Sequence, residues 1–246
     1  PSLLPRLSGV SFRYKNLLEG LASRHECYVV GYDKDFHKYL PKNIKGYYYF
    51  NNLSVPTYES QKIFNFMLTL PYMIYIYYLL IILKIDIVHI AGPDTNFLPW
   101  VEVTNMLKIH LVYSHHTDIV SYLDSRPFVN NTFFRNMIMK SDEYIMNNSS
   151  VTWLMSKFLL SRLVHKHGYF KNQKPNIKIL DVGVDRNLFK PTYNPDYSNL
   201  WIPNTTRLLM VARIASEKYI DFVIDCVNEI KTASLLIIGT GPDDKV

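Results

Sequence analysis

The sequence has few of the residues on which disulfide-rich and metal-binding proteins depend. Its 246 residues include two cysteines, Cys27 and Cys226, which lie far apart in the chain. Their number and spacing exclude a disulfide framework and a cysteine metal site, so a reducing compartment is favoured. Glycine is also scarce, with nine residues. No third glycine follows Gly239 and Gly241 in register, which excludes a dinucleotide-binding fingerprint.

Runs of one charge are absent as well. The chain has 27 Lys and Arg residues against 21 Asp and Glu residues, a net charge of +6. A mild basic excess fits an anionic ligand or an anionic membrane surface. Because the basic residues are scattered, we expect no nucleic-acid partner.

The composition otherwise fits a globular protein with a real core: 48% of the residues are hydrophobic and 20% are charged. Short apolar runs without alternation predict buried parallel strands, and helical patterns lie between them, which favours a doubly wound α/β fold. The predicted strands are Glu26–Gly31, Ile85–Ile90, His110–Tyr113, Glu143–Met146, Ile177–Leu180, Arg207–Val211 and Leu235–Ile238; the predicted helices include Ser11–Arg24, Thr152–His165 and Tyr219–Ile230.

The alternation of strands and helices breaks between Asp185 and Asn204. Pro191, Pro195 and Pro203 interrupt the periodicity there. We therefore predict two Rossmann-like domains. The N-terminal domain occupies 1–190 and lacks its first strand, and a linker follows over 191–204. A C-terminal domain begins at 205–246 and is truncated after about two strands and one helix.

The segment Phe64–Leu83 is almost entirely apolar. Its length would allow it to cross a bilayer, which takes roughly 20 residues. Pro71 suits the first turn of a helix, so we favour a helix that starts near Pro71 and packs on the sheet. A helix that lies on a membrane surface, with its tyrosines at the interface, is an intermediate alternative.

Two candidate sites lie in the N-terminal domain, one before a predicted helix and one after a predicted strand. Gly9, just before the helix at Ser11, would let a backbone approach a phosphate or a sugar. A plain turn glycine is the alternative. His115 and His116 follow directly after a strand, where ligands bind in open α/β sheets. Core or capping histidines are equally compatible with the pattern, and no further metal ligand is evident beside them.

Two further candidates lie in the C-terminal domain. Arg213 follows an apolar strand and Lys218 comes five residues later, as a helix begins. Two fixed cations there could neutralise the charge of a departing nucleoside diphosphate, although the same spacing is common on solvated surfaces. Gly239 and Gly241 follow the last strand and predict a tight turn that a nucleotide can approach.

In this order, the motifs resemble those of the family 4 retaining glycosyltransferases, which have the two-domain GT-B fold. The branch they are most similar to contains sulfoquinovosyltransferases and lipid glycosyltransferases. Two motifs carry this similarity: Ser-His-His-Thr followed by Tyr122, and Arg-Ile-x-x-Glu-Lys, which begins at Arg213. The motifs that carry the resemblance are Ser8-Gly9, Asp86-Ile87-Val88-His89, His115-His116-Thr117, Asp181-Val182-Gly183-Val184-Asp185 with Phe189 and Pro191, Arg213 with Glu217-Lys218, and Gly239-Thr240-Gly241-Pro242.

The resemblance implies a role for each candidate. Gly9 would lie beside the donor phosphate and sugar, and His116 would contact the donor sugar near the reacting centre. Arg213 and Lys218 would bind the donor diphosphate. The remaining candidates, Gly239 and Gly241, would lie near the nucleotide base. The family's Glu-x7-Glu element is expected beyond Val246, so we expect a fragment with weak donor binding.

The resemblance also implies the reaction: a sugar moves from a UDP- or GDP-sugar to an acceptor hydroxyl with retention of configuration, without a metal or other cofactor. A glycerolipid acceptor, and hence glycolipid biosynthesis at the membrane periphery, follows from the branch and from Phe64–Leu83. We expect a cytoplasmic protein or one on a cytosol-facing membrane. A non-catalytic nucleotide-sugar-binding or scaffolding module and a membrane-spanning protein are the alternatives.

Overall fold

The computed structural model describes residues 9–31, 34–49, 69–92, 95–116, 118, 132–171, 175–181, 183–191, 198–241 and 243. The chain divides into two compact units, Pro1–Gly183 and Val184–Val246, and each unit is described by itself.

The first unit alternates helices and parallel strands. The strands form a two-stranded sheet, β1-β2, and a four-stranded sheet with the order β3-β4-β5-β6. The elements are α1 (Gly9–Ala22), β1 (Tyr28–Gly31), β2 (Gly46–Tyr49), α2 (Thr69–Ile82), β3 (Ile87–Ala91), α3 (Leu98–Leu107), β4 (His110–His115), α4 (Thr132–Asn147), β5 (Val151–Leu154), α5 (Lys157–Ser161) with a π-helical turn over Arg162–Lys166, and β6 (Ile177–Ile179).

The core of the first unit lies around strand β4. Three consecutive residues of this strand, Tyr113, Ser114 and His115, are buried. Successive side chains of a strand point to opposite faces, so both faces of β4 are covered. Helices also contribute to the core, including Ile76 of α2 and Val101 of α3. Burial of this apolar surface is the main favourable contribution to the stability of the unit.

The second unit is a single βαβ arrangement. Strand β7 (Thr206–Val211) leads through a 3-10 turn at Ser216–Lys218 into α6 (Ile220–Asn228) and then β8 (Ala233–Ile238). The two strands pair in parallel from Thr206 opposite Ala233 to Val211 opposite Ile238. The predicted α/β class is thus confirmed in both units, and most predicted strands are present within one or two residues of their expected bounds.

The strand predicted at Glu143–Met146 is wrong. These residues lie in α4, where Asp142, Ile145 and Met146 are buried at helical spacing. A short apolar run reads alike in a buried strand and in the buried face of a helix. The missing strand is β5, at Val151–Leu154.

The helix predicted at Thr152–His165 is therefore wrong in its first part. Its opening residues belong to β5, and α5 begins at Lys157. The Ser156 hydroxyl oxygen accepts a hydrogen bond from the backbone N–H of Leu159 at 3.1 Å. Serine is a preferred N-cap, so Ser156 marks the start of this helix more reliably than the apolar period does.

The apolar segment predicted at Phe64–Leu83 forms α2 from Thr69, with Pro71 in its first turn. Its residues 64–68 lie outside the described part of the chain. Among the described residues, no helix has the length and apolarity that crossing a membrane requires.

Candidate functional site

Polar side chains gather at the carboxyl ends of β3, β4 and β5. His89 is near the end of β3, Ser114 and His116 are at the end of β4, and Met155 follows β5. Helix α1 contributes Tyr14 to the same place. In open parallel sheets, this edge is where ligands bind, so the cluster is the candidate site of the first unit.

Four of these side chains form a continuous hydrogen-bonded chain. The Tyr14 hydroxyl lies 2.8 Å from His116 Nε2 and 3.3 Å from His89 Nε2. His89 Nε2 lies 2.7 Å from the Ser114 hydroxyl oxygen. The rings of Tyr14 and His116 also meet edge to face, with centroids 5.3 Å apart. These hydrogen bonds fix the orientation of the His116 ring relative to α1 and β3.

Burial controls the protonation of these hydrogen-bonded side chains. Burial lowers the pKa of His89 to about 4, and the Arg13 charge contributes to the shift. The pKa of His116 is lowered to about 4 by burial first and by Arg13, His115 and His89 after it. Burial raises the pKa of the Tyr14 phenol to about 12. At neutral pH, both histidines are therefore neutral and Tyr14 keeps its proton.

Arg13 completes the cluster from the same helix as Tyr14. Its Nη1 donates a hydrogen bond to Met155 Sδ, and its Nη2 donates to the Leu180 carbonyl oxygen at 3.2 Å. His116 Nδ1 lies 3.1 Å from the same Met155 sulfur. The guanidinium is thus held beside the His116 ring.

A buried polar layer lies beneath the cluster. The Asp142 carboxylate accepts hydrogen bonds from the Tyr113 hydroxyl at 2.5 Å and from the Tyr169 hydroxyl at 3.0 Å. His115 Nε2 lies 3.0 Å from the same carboxylate and donates to it. Asp142 is 2% exposed and His115 is fully buried. His115 is therefore a structural residue that anchors the end of β4, directly before His116.

Asp118, two residues after His116, is held by two side chains that follow β5. The Asp118 carboxylate lies 2.9 Å from Arg162 Nε and 3.2 Å from His167 Nε2. Both partners lie in or beside the π-helical turn that follows α5. Asp118 is therefore joined to the segment that follows α5.

Gly9 is the first residue of α1. The helix begins there and not at Ser11 as predicted, because the apolar period that was used to place it starts only at Phe12 and misses the first turn. Arg13 follows Gly9 by four residues, which in a helix is about 6 Å along the axis on the same face. Gly9 thus lies on the same face of α1 as Arg13.

The second unit brings its four candidates to one edge. Arg213 follows β7, and Lys218 ends the 3-10 turn directly before α6. The backbone N–H of Ile214 donates to the Thr240 carbonyl oxygen at 3.1 Å. The parallel pairing of β7 and β8 therefore continues past both strands and places the Arg213 segment against Gly239–Gly241.

Glycine is required at 239 and 241 by this close approach. A Cβ on Gly239 would overlap the carbonyl oxygen of Ala212, and one on Gly241 would overlap the carbonyl oxygen of Ile214. No side chain fits where two backbones meet in this way. The glycines thus have a role inside the protein, in shaping the Arg213 segment, besides the predicted contact with a nucleotide.

Sequence reasoning missed Tyr14 and Arg13, and it gave His89 no role. Tyr14 continues the helical spacing of Leu17, Leu18 and Leu21, which could have indicated that it faces inward. Among the described residues, no group of three or more His, Cys, Asp or Glu side chains could hold a metal ion. Some positions of the predicted motifs lie outside the described residues: Ser8, Thr117, Tyr122, Val182 and Pro242.

Known proteins resemble this chain along most of its length. Sulfoquinovosyl transferase SQD2 of Arabidopsis thaliana is 21% identical over 246 residues, which cover 98% of this chain and 46% of that protein. Sucrose-phosphate synthase from Thermosynechococcus elongatus superposes with a TM-score of 0.64 at 16% identity, over 98% of this chain and 59% of that one. The chain thus spans about half the length of the relatives it matches.

The structural likeness establishes the GT-B type of fold that the motifs implied. The Glycosyltransferase Family 4 domain matches residues 7–187. That match covers well over half of the chain, and the chain therefore belongs to glycosyltransferase family 4.

Proposed function

We propose that the protein containing this chain transfers a sugar from a UDP- or GDP-sugar to an acceptor hydroxyl with retention of anomeric configuration. The observation that carries this proposal is the edge of the second unit, where the Arg213 segment pairs with Gly239–Gly241 and Lys218 lies at the start of the following helix. Two cations on an edge that carries two glycines suit a diphosphate with a flat base beside it. Family membership supports the same reaction.

The chemistry that follows needs no protein nucleophile. The bond between the anomeric carbon and the phosphate oxygen breaks, and a bond to the acceptor oxygen forms on the same face of the sugar. The acceptor proton passes to an oxygen of the departing diphosphate. Arg213 and Lys218 stabilise the negative charge that develops there. His116, neutral because of its low pKa, contacts the donor sugar and adds no charge.

A donor panel tests this function. The full-length protein is incubated with UDP- and GDP-sugars, and release of the nucleoside diphosphate is measured with and without glycerolipid and soluble acceptors. One donor should be consumed far faster than the others, and its product should keep the configuration of the donor. Binding of a nucleotide sugar without any turnover would instead support the non-catalytic module.

A lipid acceptor and attachment to a membrane surface are proposed on the basis of α2. This helix contains no charged residue, and Leu70, Ile74, Tyr78 and Ile82 are exposed at four-residue spacing along one side. Exposed apolar patches of this kind mark interaction surfaces. A helix with such a face, and with tyrosines beside it, fits the headgroup region of a bilayer.

Placing glutamates at Ile74 and Tyr78 together should lower binding to vesicles about tenfold, since apolar contact is lost and negative charge meets anionic headgroups. Co-sedimentation of the full-length protein with phosphatidylcholine–phosphatidylglycerol vesicles measures the effect. Met106→Glu is the control, because Met106 is also an exposed apolar residue and lies outside α2. Equal pelleting of all variants would contradict the assignment of α2 to the membrane.

A further inference from the structure

Two hydrogen-bond donors converge on one sulfur atom in the first unit. Arg13 Nη1 donates to Met155 Sδ, and His116 Nδ1 lies 3.1 Å from the same atom. A thioether sulfur is only a weak acceptor. A guanidinium and an imidazole N–H would both bind an oxygen more strongly at that position.

The contacts with Met155 and Tyr14 together determine which nitrogen of His116 carries the proton. Sulfur in a thioether has no hydrogen to donate, so Nδ1 is the donor toward Met155. The neutral ring has a single N–H, which is on Nδ1. Nε2 therefore accepts a hydrogen bond from the Tyr14 hydroxyl, 2.8 Å away. Because Tyr14 is 8% exposed and keeps its proton at neutral pH, this arrangement persists without a ligand.

The charge of Arg13 is available to a ligand. Its hydrogen bonds end on the Met155 sulfur and the Leu180 carbonyl oxygen, both of which are neutral. Across the described residues, no carboxylate forms an ion pair with Arg13. A charged group in a partly buried site is stabilised when an opposite charge arrives.

We propose that Arg13 and His116 form a subsite for an oxyanion of the substrate, and that Met155 Sδ occupies the position of the ligand oxygen until the ligand displaces it. The oxyanion accepts one hydrogen bond from Arg13 Nη1 and one from His116 Nδ1. Phosphate and sulfate oxygens suit this pair, since guanidinium binds both with charge-assisted hydrogen bonds. Only the source of the ligand rests on the proposed glycosyl transfer.

Sulfate is a suitable probe because it stays doubly charged over the working pH range. Calorimetry on the full-length protein should show that Arg13→Gln weakens sulfate binding about tenfold or more, the scale of one charge-assisted hydrogen bond. Lys15→Gln is the matched control: it removes the same charge from α1, but the Lys15 side chain is 43% exposed and lies beside Glu19. Its effect should be at most about twofold. Equal sulfate affinity in the wild type and both variants would overturn the subsite.

Two readouts test the parts played by His116 and Met155. Sulfate should raise the pKa of His116, followed by its ring proton resonances, because the anion offsets the Arg13 charge that helps to lower it. Met155→Leu should bind sulfate as tightly as the wild type or more tightly, since leucine leaves no acceptor to displace. A tenfold loss of affinity in Met155→Leu would contradict the displaceable role.

The source of the oxyanion follows from binding and kinetics of Arg13→Gln. A weaker affinity for the free nucleoside diphosphate would assign the subsite to the donor diphosphate. An unchanged nucleotide affinity with a higher KM for the acceptor would assign it to a charged acceptor group. Sulfate binding through Arg13 in a protein that turns over no donor would reject the glycosyl transfer and leave the subsite intact.

Discussion

Replacing Lys218 by alanine in the full-length protein is expected to lower kcat about 100- to 1,000-fold, the scale of losing one preorganised charge donor from a transition state. Lys218 ends the 3-10 turn Ser216–Lys218, and its backbone N–H donates to the Ala215 carbonyl oxygen at 2.8 Å. The backbone therefore holds the ammonium directly before α6. Its side chain is exposed, so the fold should tolerate the change.

The loss should fall mainly on kcat. Charge on the diphosphate grows as the bond to the sugar breaks, so a cation there binds the transition state more strongly than it binds the bound donor. Steady-state kinetics with the preferred donor separate kcat from KM. Lys218→Arg keeps the charge and should recover part of the rate.

Lys231→Ala is the control for this prediction. Lys231 is an exposed cation of the same unit, in the turn before β8, and its loss should change kcat less than twofold, as surface substitutions away from a site usually do. Near-normal turnover in Lys218→Ala would reject the role of Lys218. An equal loss in both variants would assign the effect to net charge.

The motifs of the second unit could be placed from sequence because of a simple geometric rule. Parallel strands joined by a helix end at the same edge of the sheet, so residues that follow β7 and β8 must meet. Arg213 and Gly239 obey that rule, and their segments pair through backbone hydrogen bonds. What the rule could not show is that Gly239 and Gly241 touch backbone carbonyls of the neighbouring segment.

The candidate site of the first unit was only half predictable. The position of His116 after a strand pointed to this edge, but its partners are distant in sequence: Tyr14 precedes it by 102 positions, and Met155 follows Arg13 by 142. Local periodicity carries no information on such pairs. Their contacts result from tertiary packing of α1 against the carboxyl ends of β4 and β5.

The misplaced strand at Glu143–Met146 has a related cause. Tyr144, Ile145 and Met146 are apolar in sequence, yet in α4 only Ile145 and Met146 reach the core, while Tyr144 is exposed. The carboxylate of Asp142 lies one turn earlier on the same buried face. A buried carboxylate is rare unless it is hydrogen-bonded. This face of α4 can therefore be buried only because Asp142 has hydrogen-bond donors, and no local sequence pattern predicts them.

Replacing Asp142 by alanine should therefore lower the free energy of unfolding of the first unit by about 3 to 5 kcal/mol, because buried donors would lose their acceptor. The donors are the hydroxyls of Tyr113 and Tyr169 and the Nε2 of His115. Hydrogen exchange of the β4 amides in the full-length protein measures the change. Lys140→Ala, an exposed position on the same helix, should cost less than about 0.5 kcal/mol.

A double-mutant cycle with Tyr169→Phe separates loss of the carboxylate from loss of packing. Tyr169→Phe alone removes one donor and should cost about 1 kcal/mol. In the Asp142→Ala background it should cost less than that or stabilise the unit, because it deletes a donor that already lacks its acceptor. Equal costs in both backgrounds would mean that Asp142 acts through its volume. A coupling between Asp142 and Tyr169 would also bear on the position of His116. Asp142 holds the imidazole of His115, and His116 is the next residue along the chain.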